Sequence, residues 1–481
     1  MWACERGGQH AILGSMSDLN TPLADAVDVR VVIGRQPSYW NRNVAFIANL
    51  LGMFFGNAEE TRMLEETVGE VDSYGGRLLP ILNLIFAGEG DNLLALERSP
   101  DDYLSEFFAE TAGLSLPEVA ILPHRDYVRI GSGEVPENEE VEQLLASVAG
   151  LPVSHLDGYV TDGTLSGLAD ALGKNTCSSI AGSRYGNNKY MLHCFLESAG
   201  LPVPPTEIAE KPSEVGGCLE SLKLAGFESG VIKAPMGASG IGLIKMESLD
   251  DCQDEGFEVP EHFFTEGPCL VQGWLAPGCD GIVGIRSPSV QLFLDDVSVS
   301  LYDLTEQILS GDSVHEGNES PPSYLGELLG CRDELLRQGG LAAQWLHQQG
   351  YRGTASVDFL VTEHKGGQST VYVCEINARV TGATYPSVLA RHFMPEGCWL
   401  LRNLRFEESV SGKEILDLLR DSDDLYVPGR SEYGVFPVNF NFDSRGLISK
   451  GQFLCLAQSS IENKRLMRMA EFDLPCRFDR D

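Results

Sequence analysis

Four polar side chains, Asp358, Glu375, Asn377 and Arg379, fall in two runs of strand-forming residues, TASVDFLVTE and STVYVCEINAR, separated by a Gly-Gly turn. A hairpin centred between Gly366 and Gly367 sets Asp358 opposite Glu375. Strand alternation then brings Asn377 and Arg379 to the same face. Two carboxylates directly opposed in a sheet repel by roughly 0.2–1 kcal/mol unless a cation lies between them. Carboxylates and an amide oxygen are hard donors of the kind Mg²⁺ takes, its shell being completed by water and substrate phosphates. The competing interpretation is a solvated face on which the repulsion is tolerated. Phe359, Tyr372, Cys374 and Ile376 leave no polar-out pattern, however, so both faces read as covered. The metal set Asp358, Glu375 and Asn377 is the preferred reading.

Two further segments carry nucleotide chemistry. In GVIKAPMGASGIGLIKM (230–246), one β-type run enters a loop of small residues and a second leaves it. Gly237, Gly240 and Gly242, with Ser239 between them, let backbone N–H groups approach a phosphate closely. The order is not that of a dinucleotide fingerprint, and no helix follows. A P-loop is absent as well: the nearest candidate, Gly167 to Lys174, has one spacer residue too many and is followed by Asn175. A glycine flap with Lys233 at its base is the expectation, against a plain surface hairpin. In LVQGWLAPGCDG (270–281), an apolar strand runs into a turn. Backbone groups at Gln272, Gly273, Trp274 and Leu275 could read an adenine edge, and Asp280 could bond ribose hydroxyls, although a Trp-containing turn is also an ordinary core feature.

The elements that must position these groups are legible in outline. NNKYMLHCFLESAG reads as a helix with Met191, Leu192, Phe195 and Leu196 on one face and Gly200 as its stop. A long helix is expected over about 324–350. Upstream, strands mixed with helical patterns describe an α/β region that opens on a parallel-sheet type run, Val29 to Arg35. Downstream, GVFPVNFNF, GLISKGQFLCLAQ and IENKRLMRMAEF describe two strands and a helix. The chain has 481 residues, too many for one core, and a formal charge of −35. Such a surface repels phosphate backbones and anionic bilayers, which argues against nucleic-acid and membrane partners. An anionic ligand would need local cations that overcome that field. The 12 cysteines show no C-x-x-C pair and no signal or membrane span is visible, so reduced thiols in a cytoplasmic protein are expected.

In this order, the pieces resemble the ATP-grasp superfamily of carboxylate–amine ligases: Lys189 on a helix followed by AGLPVPPT, the flap with Lys233, the hinge at QGWL, then EINARVTGATYP. The resemblance covers about residues 183–392, and the flanks look most like the peptide-ligase branch known from pheganomycin biosynthesis. It implies an α/β (α+β ATP-grasp) fold. The expected organisation is an extension (1–20), an N-terminal α/β pre-ATP-grasp domain (21–182), a two-lobed ATP-grasp domain (183–400, lobes 183–270 and 271–400) and a small C-terminal α/β cap (401–481). It further implies ATP and two Mg²⁺ ions held by Asp358, Glu375 and Asn377. Lys189 and Lys233 would contact the nucleotide, the flap residues Gly237, Ser239, Gly240 and Gly242 its phosphates, residues 272–275 its adenine and Asp280 its ribose. Arg379, with the Gly382 N–H, would stabilise the developing charge during phosphoryl transfer. Two departures stand out: Gln272 and Asp280 occupy positions more often Glu, and Ala378 replaces a common proline.

The implied activity is ATP-dependent peptide or amide ligation through an acyl phosphate, releasing ADP and phosphate, on small-molecule or peptide substrates in antibiotic-type metabolism, with a homodimer as the expected assembly. The alternatives are a carboxylating or nucleotide-biosynthetic relative, and a regulatory nucleotide-binding protein without turnover. Nothing in the flanking regions names the acid or the amine. Arg286, six residues past Asp280, reads as a surface arginine.

Overall fold

The computed structural model describes residues 27–68, 74–88, 92–131, 133–134, 139–238, 240–250, 258–309, 315–326 and 329–476. The expected extension therefore lies outside the described residues, as does Ser239. Three sheets organise the chain. The first is parallel and five-stranded, in the order Glu118–Ile121, Leu93–Leu96, Val44–Ile47, His155–Gly158, Asn175–Thr176. Its central strands, VAFI and LLAL, are wholly buried, because helices cover both faces of a parallel sheet and every residue must be apolar. Strand order reverses on either side of Val44–Ile47, which makes this a doubly wound α/β unit.

The second sheet is antiparallel and four-stranded, in the order Thr206–Ala209, Cys269–Gly273, Gly230–Ala238, Ile241–Met246. The helix Val215–Leu224 backs it through Val215, Leu219 and Leu222. The third sheet has ten strands. Its main path runs Ile282–Arg286, Gly353–His364, Pro288–Leu294, Ser298–Leu309, His315–Ser320, Cys398–Val410, Ile448–Ala457, Gly434–Phe442. Ser369–Asn377 pairs with Gly353–His364 off this path. The strands of GVFPVNFNF and GLISKGQFLCLAQ thus continue the same sheet as the Asp358 strand. The run Val29 to Arg35 forms a parallel strand only at Asp28–Val31, and its partner is Ser298–Leu309 of the large sheet, not the five-stranded one.

The helix Leu329–Gln348 lies on the large sheet, with Leu335, Ala342 and Leu346 in one core with Val290, Leu292 and Val357. Each such aliphatic side chain contributes about 1.5–3 kcal/mol by leaving water. The helix Lys189–Ser198 starts at an Asn188 cap whose side chain accepts the Met191 N–H. It buries Leu192, His193 and Leu196, while Met191 and Phe195 are half-buried against the same core and Phe195 stacks on Trp345. It touches Gly230–Ala238 and Cys269–Gly273 on one side and Ser369–Asn377 on the other, so it joins the second sheet to the third. The ten described cysteines are free. No helix among the described residues is long and apolar enough to cross a membrane.

Candidate active site

The hairpin meets the expected register by an unexpected route. His364 N–H bonds Gln368 O, so the turn is centred on Gly366, with Gly366 and Gly367 both at positive φ. That centre alone would set Asp358 opposite Cys374. A β-bulge between Val373 and Glu375 adds one residue, and Asp358 then pairs with Glu375 and Ser356 with Asn377. The Asp358 carboxylate accepts from Ser289 Oγ (2.6 Å), Ser356 Oγ (3.2 Å), Asn377 Nδ2 (2.9 Å) and Gln307 Nε2 (3.3 Å). Burial and the neighbouring Glu375 nevertheless push it above the usual carboxylate range. Glu375 is pushed up by burial too, but Lys189, Arg379 and Lys233 outweigh that and hold it well below its ordinary value.

Lys189 is the hub. Its ammonium lies 2.8 Å from Glu375 Oε2 and donates to Gly237 O at 3.4 Å, tying the flap strand to the hairpin. Lys233 approaches the same group of charges, and burial lowers its pKa. Arg379 donates to Asn187 Oδ1, and Asn187 in turn bonds Ser183 O and Ala378 O. Asn187, which sequence reasoning missed, is therefore a positioning group for Arg379. Thr381 and Ala383 spend their N–H groups on Thr384 Oγ1 and Thr381 Oγ1, and Gly382 stands between them.

Gly237 lies on Gly230–Ala238 and Gly242 on Ile241–Met246, with Gly240 in the turn between them, and the pairing of the two strands is irregular between Lys233 and Ala238. Gly242 has φ +77°, and a Cβ there would meet Met236 O at 2.7 Å and Glu60 Oε1 at 3.2 Å, so only glycine fits. Beside the hinge strand lies a narrow cleft lined by Lys189, Leu192, Leu270, Gln272 and Val373. Gln272 turns its amide to Thr206 Oγ1 (2.9 Å). The N–H groups of Gly273 and Trp274 are taken by Pro205 O and Ser229 O, so Leu275 is the hinge residue after the strand whose N–H has no backbone acceptor among the described residues. Asp280 stands exposed in the turn Cys279–Gly281 at φ +45°, and its charge acts on Tyr372 and Cys279. Arg286 is ion-paired to Glu363 at 2.9 Å.

Sequence reasoning also missed Glu60, on the helix Ala58–Val68. It is 1% exposed and its Oε1 has no hydrogen-bond partner. Burial pushes its carboxyl up to about 7; Lys189 opposes the rise and Glu266 adds to it. Nothing in AEETRMLEET sets this glutamate apart from its solvated neighbours. Because the folded state raises its pKa, folding favours the protonated form, and stability is lost as pH climbs from about 4.5 to about 7. Glu60→Gln removes that titration. Melting curves of the ligand-free protein should show the variant a few degrees more stable than wild type at pH 8 and nearly equal at pH 5. An equal difference at both pH values would rule out a buried charge at this position.

The donor set fits a divalent ion that prefers oxygen: two carboxylates and an amide whose oxygen can face either way by a ring-free flip. Among the described residues no group of three or more His, Cys, Asp or Glu side chains gathers at metal-binding spacing. Soft-metal chemistry of the zinc type therefore has no ligand set there.

Comparison with known proteins agrees with this architecture. No family model matches the chain. A curated relative, the [butirosin acyl-carrier protein]–L-glutamate ligase of Niallia circulans, is 30% identical over 209 residues. The match spans 43% of this chain and only 46% of that relative. Among solved structures, biotin carboxylase from Campylobacter jejuni superposes with a TM-score of 0.54 at 13% identity, covering 91% of this chain and 92% of that one. The biotin carboxylase domain of the Hydrogenobacter thermophilus 2-oxoglutarate carboxylase gives 0.53 at 12%, covering 91% of each. N5-carboxyaminoimidazole ribonucleotide synthetase from Thermus thermophilus gives 0.51 at 12%, covering 91% and 100%. The chain therefore has the ATP-grasp fold of these structures.

Proposed function

We propose that the chain is an ATP-dependent, ADP-forming ligase that joins a carboxylate to the amine of an amino acid or peptide. The observation that carries this reading is the gathering of Asp358, Glu375, Asn377, Lys189 and Lys233 into one cluster of charges within an ATP-grasp fold. The relative named as a glutamate ligase supports an amino acid as one substrate. Asp358, Glu375 and Asn377 would hold Mg²⁺, which neutralises phosphate charge when bound. Lys233 and Lys189 bind the phosphates of ATP, and the backbone at Gly237, Gly240 and Gly242 covers them. Gln272 to Leu275 and Asp280 take the base and sugar, with the Leu275 N–H, which has no backbone acceptor among the described residues, as the adenine donor.

Carboxylate oxygen attacks the γ-phosphorus and ADP leaves. Arg379, held by Asn187, meets the charge that develops on the transferred group, and the Gly382 N–H lies beside it. The amine then adds to the acyl carbon, loses a proton, and expels phosphate. Acyl phosphates hydrolyse readily, so the flap and the apolar wall of Leu192, Leu270 and Val373 also serve to keep water out.

The test is nucleotide chromatography with Mg²⁺ and ATP against acids and amines, acidic amino acids first. ADP that appears only when an acid and an amine are both present is the expected result. AMP with pyrophosphate would mean adenylation and overturn the mechanism. ADP release driven by bicarbonate would favour a carboxylating enzyme, and binding without turnover a regulatory protein.

A further inference from the structure

The strand Pro288–Leu294 pairs with the Asp358 strand and is buried along its whole length. Val290, Leu292 and Leu294 alternate to one face, in the core of the helix Leu329–Gln348. Residues paired across a ladder share a face, as do residues two apart along a strand. Ser289, opposite Asp358, and Gln291, opposite Ser356, therefore share the face of Asp358. Gln291 is 0% exposed. Burying an amide in such a strand is costly unless its polar atoms are bonded, and an apolar side chain would carry no such cost.

The bonds of Gln291 run in one direction. Thr381 Oγ1 donates to Gln291 Oε1 (3.5 Å), Gln291 Nε2 donates to Ser289 Oγ (3.0 Å), and Ser289 Oγ donates to Asp358 Oδ1 (2.6 Å). Gln291 Nε2 also reaches Thr305 Oγ1 at 3.4 Å. The carboxylate end forces this direction. An ionised Asp358 only accepts, so it takes the single Ser289 proton, and Ser289 Oγ must accept from Gln291. The amide nitrogen therefore faces Ser289 and the amide oxygen faces Thr381. At its other end the relay meets the loop after Arg379. Thr381 Oγ1 accepts the Ala383 N–H (3.3 Å) and lies 3.0 Å from Thr384 Oγ1, which accepts the Thr381 N–H (2.9 Å). These bonds bracket Gly382 on both sides.

We infer that Gln291 is a positioning residue for phosphoryl transfer: it ties residues 381–383 to Asp358 and so sets Arg379 and the Gly382 N–H at a fixed place relative to the proposed metal ligands. This rests on the ligase reading above. Arg379 itself is held by Asn187, so the stretch 379–383 has one anchor beside the Lys189 helix and a second on the sheet. Hydrogen bonds aligned head to tail toward one anion strengthen one another where the dielectric is low. Loss of the amide leaves Thr381 Oγ1 and Ser289 Oγ each one partner short. It loosens the loop rather than the nucleotide, whose proposed contacts Lys189 and Lys233 lie on other elements.

Two experiments decide it. Gln291→Met keeps the unbranched side chain and removes its amide, and Thr381→Val removes the hydroxyl at the other end. In steady-state ADP release each should lower kcat between about 10- and 100-fold, the scale of a misplaced reacting group, with the KM of ATP changed less than about twofold. Because both act through one bond, the double variant should lose little more than the stronger single variant. Thr381→Ser retains the hydroxyl and should stay within about threefold of wild type. In a protein that forms ADP, a normal kcat in Thr381→Val, an equal loss in Thr381→Ser, or losses that multiply in the double variant would each overturn the inference. The second experiment needs no turnover. Amide exchange in the ligand-free protein, followed by mass spectrometry, should quicken about tenfold or more at residues 380–384 in Gln291→Met, with the strands Gly353–His364 and Ser369–Asn377 unchanged. Unchanged exchange at 380–384 would overturn the tether even if ligation is confirmed. Faster exchange there, in a protein whose wild type forms no ADP, would uphold the tether while the ligase reading fails.

Discussion

On the ligase reading, replacing Glu375 by alanine should lower ADP formation by about 1,000-fold, the scale expected when a group stabilising charge in a phosphoryl transfer site is removed. Among the described residues Glu375 is the carboxylate in contact with Lys189, and it is a counter-charge for Lys233 and Arg379. On the proposed reading its loss would remove an oxygen ligand and leave Lys189, Lys233 and Arg379 without this counter-charge. Phosphates of bound nucleotide can still meet those cations, so ATP binding should survive better than turnover. The variant should keep its far-ultraviolet circular dichroism, because the ladder of Gly353–His364 and Ser369–Asn377 is held by backbone bonds and the apolar side chains Val357, Val371 and Val373. Glu375→Gln separates charge from oxygen: it retains an oxygen donor and should recover part of the rate. Normal turnover of Glu375→Ala in a folded protein would sink the metal assignment.

Replacing Asp303 by alanine should cost about 3–5 kcal/mol of stability, because it strands a buried guanidinium. Asp303 and Arg391 are 1% and 3% exposed. One carboxylate receives Arg391 Nη2 (2.9 Å) and Nε (3.2 Å), Trp399 Nε1 (2.9 Å) and Ser320 Oγ (2.7 Å). Arg391 also bonds Gly397 O. These contacts pin the helix Thr384–Phe393 to Ser298–Leu309 and Cys398–Val410, and that helix begins just after Gly382. The loss should therefore appear twice, as a clearly lower melting temperature and as reduced turnover through a loosened Arg379 loop. Asp303→Ala combined with Arg391→Met removes both charges and should regain much of the stability. A single variant that loses less than about 1 kcal/mol would show that the pair does not anchor the helix.

Both predictions concern groups whose types were visible in the chain, but only one set of partners was. Asp358 and Glu375 were legible as opposed carboxylates because strand alternation and a Gly-Gly turn are local signals. The bulge between Val373 and Glu375 was not legible, since one extra residue in a ladder leaves no mark on composition. Gly200 was legible as the stop of the helix of Lys189, whereas Asn187, just before that helix, reveals its role only by meeting Arg379 from 192 positions away. Asp303 and Arg391 are 88 positions apart and unremarkable in their own segments.

By itself the sequence determined the local elements and their chemistry: the flap, the hinge strand, the capped helix of Lys189 and the carboxylate hairpin. Backbone preference and alternation act over a few residues, and a few residues suffice to read them. Tertiary structure alone decided what those elements face. It joined the 434–457 strands to the sheet of Asp358 and pressed Glu60 against Gly242. Such placements follow from packing and desolvation between segments remote along the chain, and the energies that select them depend on the whole fold.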